Sequence, residues 1–334
     1  MNFNELLGNE PVKKSLANML KSGRVSNSYI FEGMSGIGKK LCAEIFSAGL
    51  VCESDTCAPC GTCSGCVKAK AKSHPDIAYI TKGDETSIGV DEVREQIINQ
   101  VYLKPYISRR RIFIIEDGDF LTEAAQNSLL KVLEEPPEYV TFIICVTKQD
   151  RLLSTVLSRS VVMTFFPLPL SLVKSYLEEK YSGEKVNLAS KVSCGSIGEA
   201  INFISDEKHE KLFRDTIDHL KNLSLGGVKM RETADFLIEE KENIDKVTDY
   251  MLTFLRDCVF VKTGAESQVI YDDFLSDMRV FTDKISKKGL TQAFDRLSDF
   301  KLKKKQNLNY AVTVFETVVC IWEDFHGEGS GHKI

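Results

Sequence analysis

Residues 33–40 read Gly33-Met34-Ser35-Gly36-Ile37-Gly38-Lys39-Lys40. Glycines at this spacing let consecutive backbone N–H groups converge on phosphate oxygens, and the start of a following helix adds partial positive charge. Lys39 would reach the outer phosphates of a bound nucleotide. The next position breaks the pattern. A Ser or Thr hydroxyl is needed there to ligate Mg2+, and Lys40 offers an ammonium instead. That charge can offset phosphate but cannot coordinate a cation. Two readings follow: a working phosphate loop, or a loop kept as architecture after its chemistry was lost. The missing metal ligand favours the second.

A second cluster lies just downstream. Cys52, Cys57, Cys60, Cys63 and Cys66 crowd into fifteen residues, with Gly61 and Gly65 easing the turns. Thiolates two residues apart suit tetrahedral Zn2+. Cys60, Cys63 and Cys66 supply three ligands, and the fourth is Cys52 or Cys57. An all-cysteine site has no open position, so the metal would be structural. Free loop thiols are the bland alternative.

The elements that must position the loop are legible around it. Ser28–Glu32 is a short strand leading into the glycines, and a helix runs from Lys39 to about Cys52. Ile112–Ile115 and Thr141–Val146 are apolar, β-branched runs of the kind buried on both faces of a parallel sheet. Glu116 and Asp117 leave the first at its carboxyl end, and Thr147 tips the second. Between them Thr122 can cap a helix with Ala125, Leu129, Val132 and Leu133 on one face, stopped by Pro136-Pro137. A short element then ends at Ser158-Arg159-Ser160. Asp76–Ile80 reads as a further strand and Val90–Val101 as an amphipathic helix with Val93, Ile97 and Val101 inward. Arg109-Arg110-Arg111 reads as solvated surface.

Beyond Arg159 the character changes. Phe166–Leu170 reads as a linker, and helices are expected at 172–177, 188–192 and 199–204. From Asp206 only helical periodicity remains, with Val247, Met251, Phe254 and Cys258 on one stripe and Leu308, Val312, Phe315, Val319 and Trp322 on another. Lys301–Lys305 reads as a solvated basic turn. The expected division is an α/β domain at 1–166, a small helical domain at 167–206, a helical domain at 207–325 and a disordered tail at 326–334.

Length and composition agree. At 334 residues and 43% hydrophobic the chain exceeds one core. The net charge of −5 gives no global field for nucleic acid, so any such contact is local. No signal peptide is expected ahead of Gly8, nor any apolar run long enough to span a membrane. Cys42, Cys145, Cys258 and Cys320 sit in apolar contexts as core residues, which points to a reducing cytoplasm with one metal site.

These stretches together resemble the delta-prime family of bacterial DNA polymerase III clamp-loader subunits, within the AAA+ group. The likeness is carried by LLGNEPVKKSL, SGRVSNSYIFEGMSGIGK, PCGTCSGC with SHPDI, IIEDGDFLTEAAQNSLLKVLEEPP and LSTVLSRS. It extends through GSIGEA and, more faintly, NLN near residue 307. The resemblance implies a P-loop parallel-sheet domain, a small helical lid and a C-terminal helical collar. It makes Cys52, Cys60, Cys63 and Cys66 the zinc ligands, although the Cys52–Cys60 gap is one residue shorter than usual, which keeps Cys57 in play. It makes Arg159 an arginine finger for a neighbouring subunit's ATP site, a task that suits the fixed guanidinium fork.

Departures separate this chain from the hydrolysing gamma/tau relatives. Lys39-Lys40 stands where theirs end in Lys-Thr or Lys-Ser. Glu116-Asp117 reverses their Asp-Glu order, and a misplacement near 1 Å costs about 100-fold. Gly198 replaces their phosphate-sensing arginine. The resemblance thus implies a non-hydrolysing subunit with weak or absent ATP binding. It would assemble with gamma/tau and delta, and meet the sliding clamp and primer-template DNA through the complex. The rivals are a gamma/tau-like ATPase and a zinc-dependent DNA-binding protein.

Overall fold

Five short apolar runs assemble into one parallel sheet. They are β1 (Ser28–Glu32), β2 (Ile77–Ile80), β3 (Arg111–Ile115), β4 (Val140–Val146) and β5 (Val161–Thr164), in the spatial order β2-β3-β4-β1-β5. The computed structural model describes residues 2–54, 57–183, 185–303 and 309–327. Two compact units result, residues 1–173 with 194–199, and residues 174–193 with 200–334. Residues 167–206, expected as a separate small domain, are thus divided between the two.

In the first unit every residue of β4 is buried, as a strand covered on both faces requires. Phe113 and Phe142 stack across β3 and β4 with ring centroids 5.4 Å apart. The register sets Ile115 beside Ile144 and Glu32 beside Val146. The carboxyl ends of β3, β4 and β1 therefore lie side by side, where open α/β sheets gather ligands. Around the sheet lie α1 (Glu10–Ser22), α2 (Lys39–Leu50), α3 (Ser64–Lys70), α4 (Val90–Val93), α5 (Glu123–Glu134) and α6 (Ser154–Leu157). Thr122 caps α5 as its position suggests, its hydroxyl accepting from the Ala125 N–H at 3.2 Å.

Two local expectations change. The segment from Val90 is α-helical only to Val93 and continues as a π-helix over Arg94–Ile98. Val93, Ile97 and Val101 nonetheless all reach the core. The edge strand β5 has no counterpart in the sequence reading, because only Met163 of its four residues is buried and no apolar alternation marks it.

The SHPDI stretch has a structural task. Asp76 is almost fully buried and accepts from the N–H groups of Tyr106 at 2.5 Å, Ile107 at 3.0 Å and Ser108 at 2.9 Å, and from the Ser108 hydroxyl at 2.9 Å. Burial alone would push its pKa up; the four donors outweigh that and hold the carboxyl below its usual range. Its stabilising effect is therefore fully present above the unfolded carboxyl range near 3.9 and is lost as pH falls through the lower folded value. Asp76→Ala is expected to cost about 3 kcal/mol, a fall in thermal midpoint of roughly 6–12 °C. Melting from pH 7 downward checks this: the wild type should lose its advantage over the variant only in acid.

In the second unit, α7 (Leu170–Lys180, from Lys174), α8 (Lys185–Val192) and α9 (Ile197–Ser205, from Ala200) join α10 (Glu207–Asn222), α11 (Gly227–Glu239), α12 (Ile244–Lys262), α13 (Leu275–Lys284), α14 (Lys287–Lys303) and α15 (Tyr310–His326). Val247, Met251, Phe254 and Cys258 are buried, so the α12 stripe faces the core. On α15 the core face is instead Val314, Val318, Ile321 and Phe325, while Val312 and Phe315 are exposed. Both faces of that helix are apolar, so periodicity alone could not tell inside from outside. Lys301 belongs to α14 and pairs with Asp249 rather than forming a turn. Lys304, Lys305, Asn307, Leu308 and residues 328–334 lie outside the described residues, as does most of the expected tail; His326 ends α15.

Candidate functional site

The loop Gly33–Gly38 joins β1 to α2, so Gly33, Gly36 and Gly38 lie at the carboxyl end of the sheet with Lys39 opening the helix. Gly36 and Gly38 have φ of +69° and +103°, which L side chains rarely adopt. Lys39 is turned inward. It is 8% exposed and donates to the Gly33 and Met34 carbonyls at 2.5 and 2.9 Å. Burial lowers its proton affinity. The lysine that would reach for phosphate thus ties the loop to itself.

Lys40 points to the acids. Its ammonium lies 3.0 Å from Asp117 Oδ1 and 3.3 Å from Glu116 Oε2. Desolvation opposes its charge, but the two carboxylates prevail and raise its proton affinity. Glu116 has a second cation, Lys72, at 3.7 Å, itself held by Glu44 at 2.6 Å. Thr147 is also engaged: its N–H and hydroxyl donate to Asp119, at 2.8 and 2.9 Å. Asp119 was not singled out from sequence, since nothing in its spacing sets it apart from Glu116 and Asp117.

Ser196 and Gly198 close the loop from the other side. The Ser196 hydroxyl donates to the Ser35 carbonyl at 2.8 Å and the Gly198 N–H to the Gly36 carbonyl at 3.0 Å. A Cβ on Gly198 would lie 2.6 Å from the Gly36 Cα, and one on Gly36 would lie 2.5 Å from the Ser196 hydroxyl. Contact this close admits no side chain at position 198, so a phosphate-sensing arginine cannot be accommodated there without moving the loop.

Arg159 follows α6 and is partly exposed. It pairs with Glu134 at 2.7 Å and donates to the Thr155 carbonyl at 2.8 Å. Helix α5 positions it from two ends. Glu134 holds the guanidinium, and buried Gln126 grips the approach to α6, donating to the Arg151 carbonyl at 3.1 Å and accepting from the Leu153 N–H at 2.7 Å. Sequence reading missed both; a buried glutamine on an apolar face is the signal that could have found the second. Of the arginines at 109–111, Arg110 donates to Thr141 and Arg111 to Gln100.

The cysteines divide cleanly. The sulfurs of Cys52, Cys60, Cys63 and Cys66 all lie within 4.8 Å of one another, and Cys57 is exposed outside that group. Sγ–Sγ separations of 3.9 Å (Cys52–Cys63) and 4.0 Å (Cys60–Cys66) match the spacing of about 3.8 Å expected for tetrahedral ligands about 2.3 Å from a metal. N–H groups from the turns at Thr62 and Cys63 bring the Cys60 thiol down to about 6, while burial pushes the Cys52 and Cys66 thiols up. The donor set fits a structural metal ion.

Two family models match this chain: "DNA polymerase III, delta subunit" over residues 8–169, and its C-terminal counterpart over residues 209–317. A DNA polymerase III subunit delta' from Bacillus subtilis is 25% identical over 93% of this chain and 95% of its own. A subunit gamma/tau from Mycobacterium tuberculosis is 34% identical over 52% of this chain and 30% of its own, so the chain spans about a third of the length of such relatives. Among solved structures, a gamma-subunit-related protein from Thermotoga maritima aligns over 93% of this chain and 99% of its own, at 17% identity and a TM-score of 0.44. Among the described residues no helix is long and apolar enough to cross a membrane. With residues 8–169 and 209–317 matched in order by the two models, the chain belongs to the DNA polymerase III delta-subunit family.

Proposed function

We propose that this chain is a non-hydrolysing, delta-prime-type subunit of a clamp loader, which lends Arg159 to a neighbouring ATPase while its own nucleotide site is inert. One observation carries the reading: Lys39 donates into its own loop, and Lys40, at the position of the metal ligand, is paired with Glu116 and Asp117. The full-length likeness to a delta' subunit supports it, because both chains are covered almost end to end.

The residues then divide by role. Gly33, Gly36, Gly38, Lys39, Lys40, Glu116, Asp117 and Thr147 form a degenerate nucleotide site that shapes the domain without turning over ATP. Arg159 supplies a guanidinium to phosphate charge developing in the next subunit's site. Cys52, Cys60, Cys63 and Cys66 hold a structural Zn2+, which cross-links the end of α2 to α3. Residues 207–325 serve as the collar that joins gamma/tau and delta subunits. Clamp and primer-template DNA are met through the assembled complex in the cytoplasm.

A gamma/tau-like ATPase is the rival. ATP hydrolysis by the isolated chain separates them: no turnover above background is expected, and turnover that disappears in Lys39→Ala would establish the ATPase instead.

A further inference from the structure

P-loop sites hold Mg2+ through a loop hydroxyl and an acid at the neighbouring strand end. The residues here do not fit that ion. Lys40 has no lone pair to offer when charged, and its ammonium already lies 3.0 Å from Asp117 Oδ1 and 3.3 Å from Glu116 Oε2. A Mg2+ ion must sit about 2.1 Å from its carboxylate oxygen with near-octahedral partners, in the space this ammonium fills.

The outer oxygens are engaged as well. Asp117 Oδ2 accepts from the Lys82 N–H at 3.3 Å, and Glu116 Oε1 faces Lys72 at 3.7 Å. Charge agrees with geometry. Glu44, Glu116 and Asp117 bring three negative charges, and Lys40 and Lys72 return two. The acids face little uncompensated charge that would draw in a divalent ion. Glu116 is only 12% exposed, so its pairing is less screened than one in open water.

We infer that Lys40 is the built-in cation of this site: its ammonium takes the place of the divalent ion between Glu116 and Asp117 and excludes Mg2+ from them. The inference deepens the inert-site reading proposed above and rests on it for the identity of the loop. It goes further in naming one residue as the determinant of metal exclusion. The two carboxylates remain a competent oxygen pair, so removing the ammonium should open a metal site where none existed.

Mn2+ is the probe, because it replaces Mg2+ on carboxylate oxygens and has little preference for the thiolates of the cysteine cluster. Binding is read by electron paramagnetic resonance on the full chain without nucleotide. The wild type should show no Mn2+ site that depends on Asp117. Lys40→Thr, with an unchanged circular dichroism spectrum, should gain one such site, and adding Asp117→Asn should abolish it. If Lys40→Thr does not fold, Lys40→Ala takes its place. Overturning results are a wild-type Mn2+ site that Asp117→Asn removes, or a folded Lys40 variant that gains nothing. Mn2+ bound by the wild type without ATP turnover would sink this inference and leave the inert-subunit reading standing. Turnover by the wild type would sink the inert-subunit reading itself.

Discussion

With Arg159→Ala in place, a reconstituted assembly is expected to retain this subunit yet hydrolyse ATP about 10^3-fold more slowly at the one neighbouring site the arginine serves. Total turnover falls only by that site's share, so the measurement belongs in an assembly whose other ATPase sites are disabled. Folding should survive. The Arg159–Glu134 pair is partly solvated on both sides, and such pairs contribute at most about 1 kcal/mol. Arg159→Lys should restore little, since an ammonium lacks the planar fork. Unchanged turnover at the isolated site would remove Arg159 from any role in trans.

Removing the metal should have the second largest effect, on stability rather than on chemistry. Cys66 is buried at the start of α3, its thiol 3.7 Å from the Ala48 carbonyl near the end of α2. A Cβ on Gly65 would lie 2.4 Å from the Val51 carbonyl oxygen, so α3 is seated directly on the α2 terminus. A metal ion held by the four sulfurs would tether the two helices at that seam. Small zinc domains draw about 10–16 kcal/mol from the metal. If a quarter of that, about 3 kcal/mol, couples to unfolding of the whole unit, chelation lowers the thermal midpoint by roughly 6–12 °C. Cys66→Ser should do the same, whereas Cys57→Ser should not, because its thiol lies outside the cluster. Metal-free protein melting at the original temperature would show that the cluster holds no structural metal.

Most of the sheet could be read from the chain because its strands are buried on both faces and need β-branched runs. Ile112–Ile115 and Thr141–Val146 declare themselves, and the observed strands differ by one residue at their starts. The fifth strand could not be read, since an edge strand with one buried residue carries no pattern. The glycine loop, the acids and the cysteines were legible because their chemistry dictates spacing. What spacing could not reveal was occupancy. That Lys40 spans Glu116 and Asp117, that Lys39 folds back on its own loop, and that Asp119 binds Thr147 depend on side-chain direction across elements far apart in sequence. That the sulfurs of Cys52, Cys60, Cys63 and Cys66 gather while Cys57 lies outside them is of the same kind, set by how the turns fold. On α15, two apolar faces left the inward one undetermined until α14 and α11 were packed against it.

The most direct test compares Lys39→Ala with Arg159→Ala in the same reconstituted assembly under DNA-stimulated conditions. A subunit whose own pocket is idle predicts the parental ATPase rate for Lys39→Ala and a depressed rate for Arg159→Ala. A collapse of turnover in Lys39→Ala, with Arg159→Ala indistinguishable from the parent, would mean that this chain burns ATP itself and lends nothing to its neighbour.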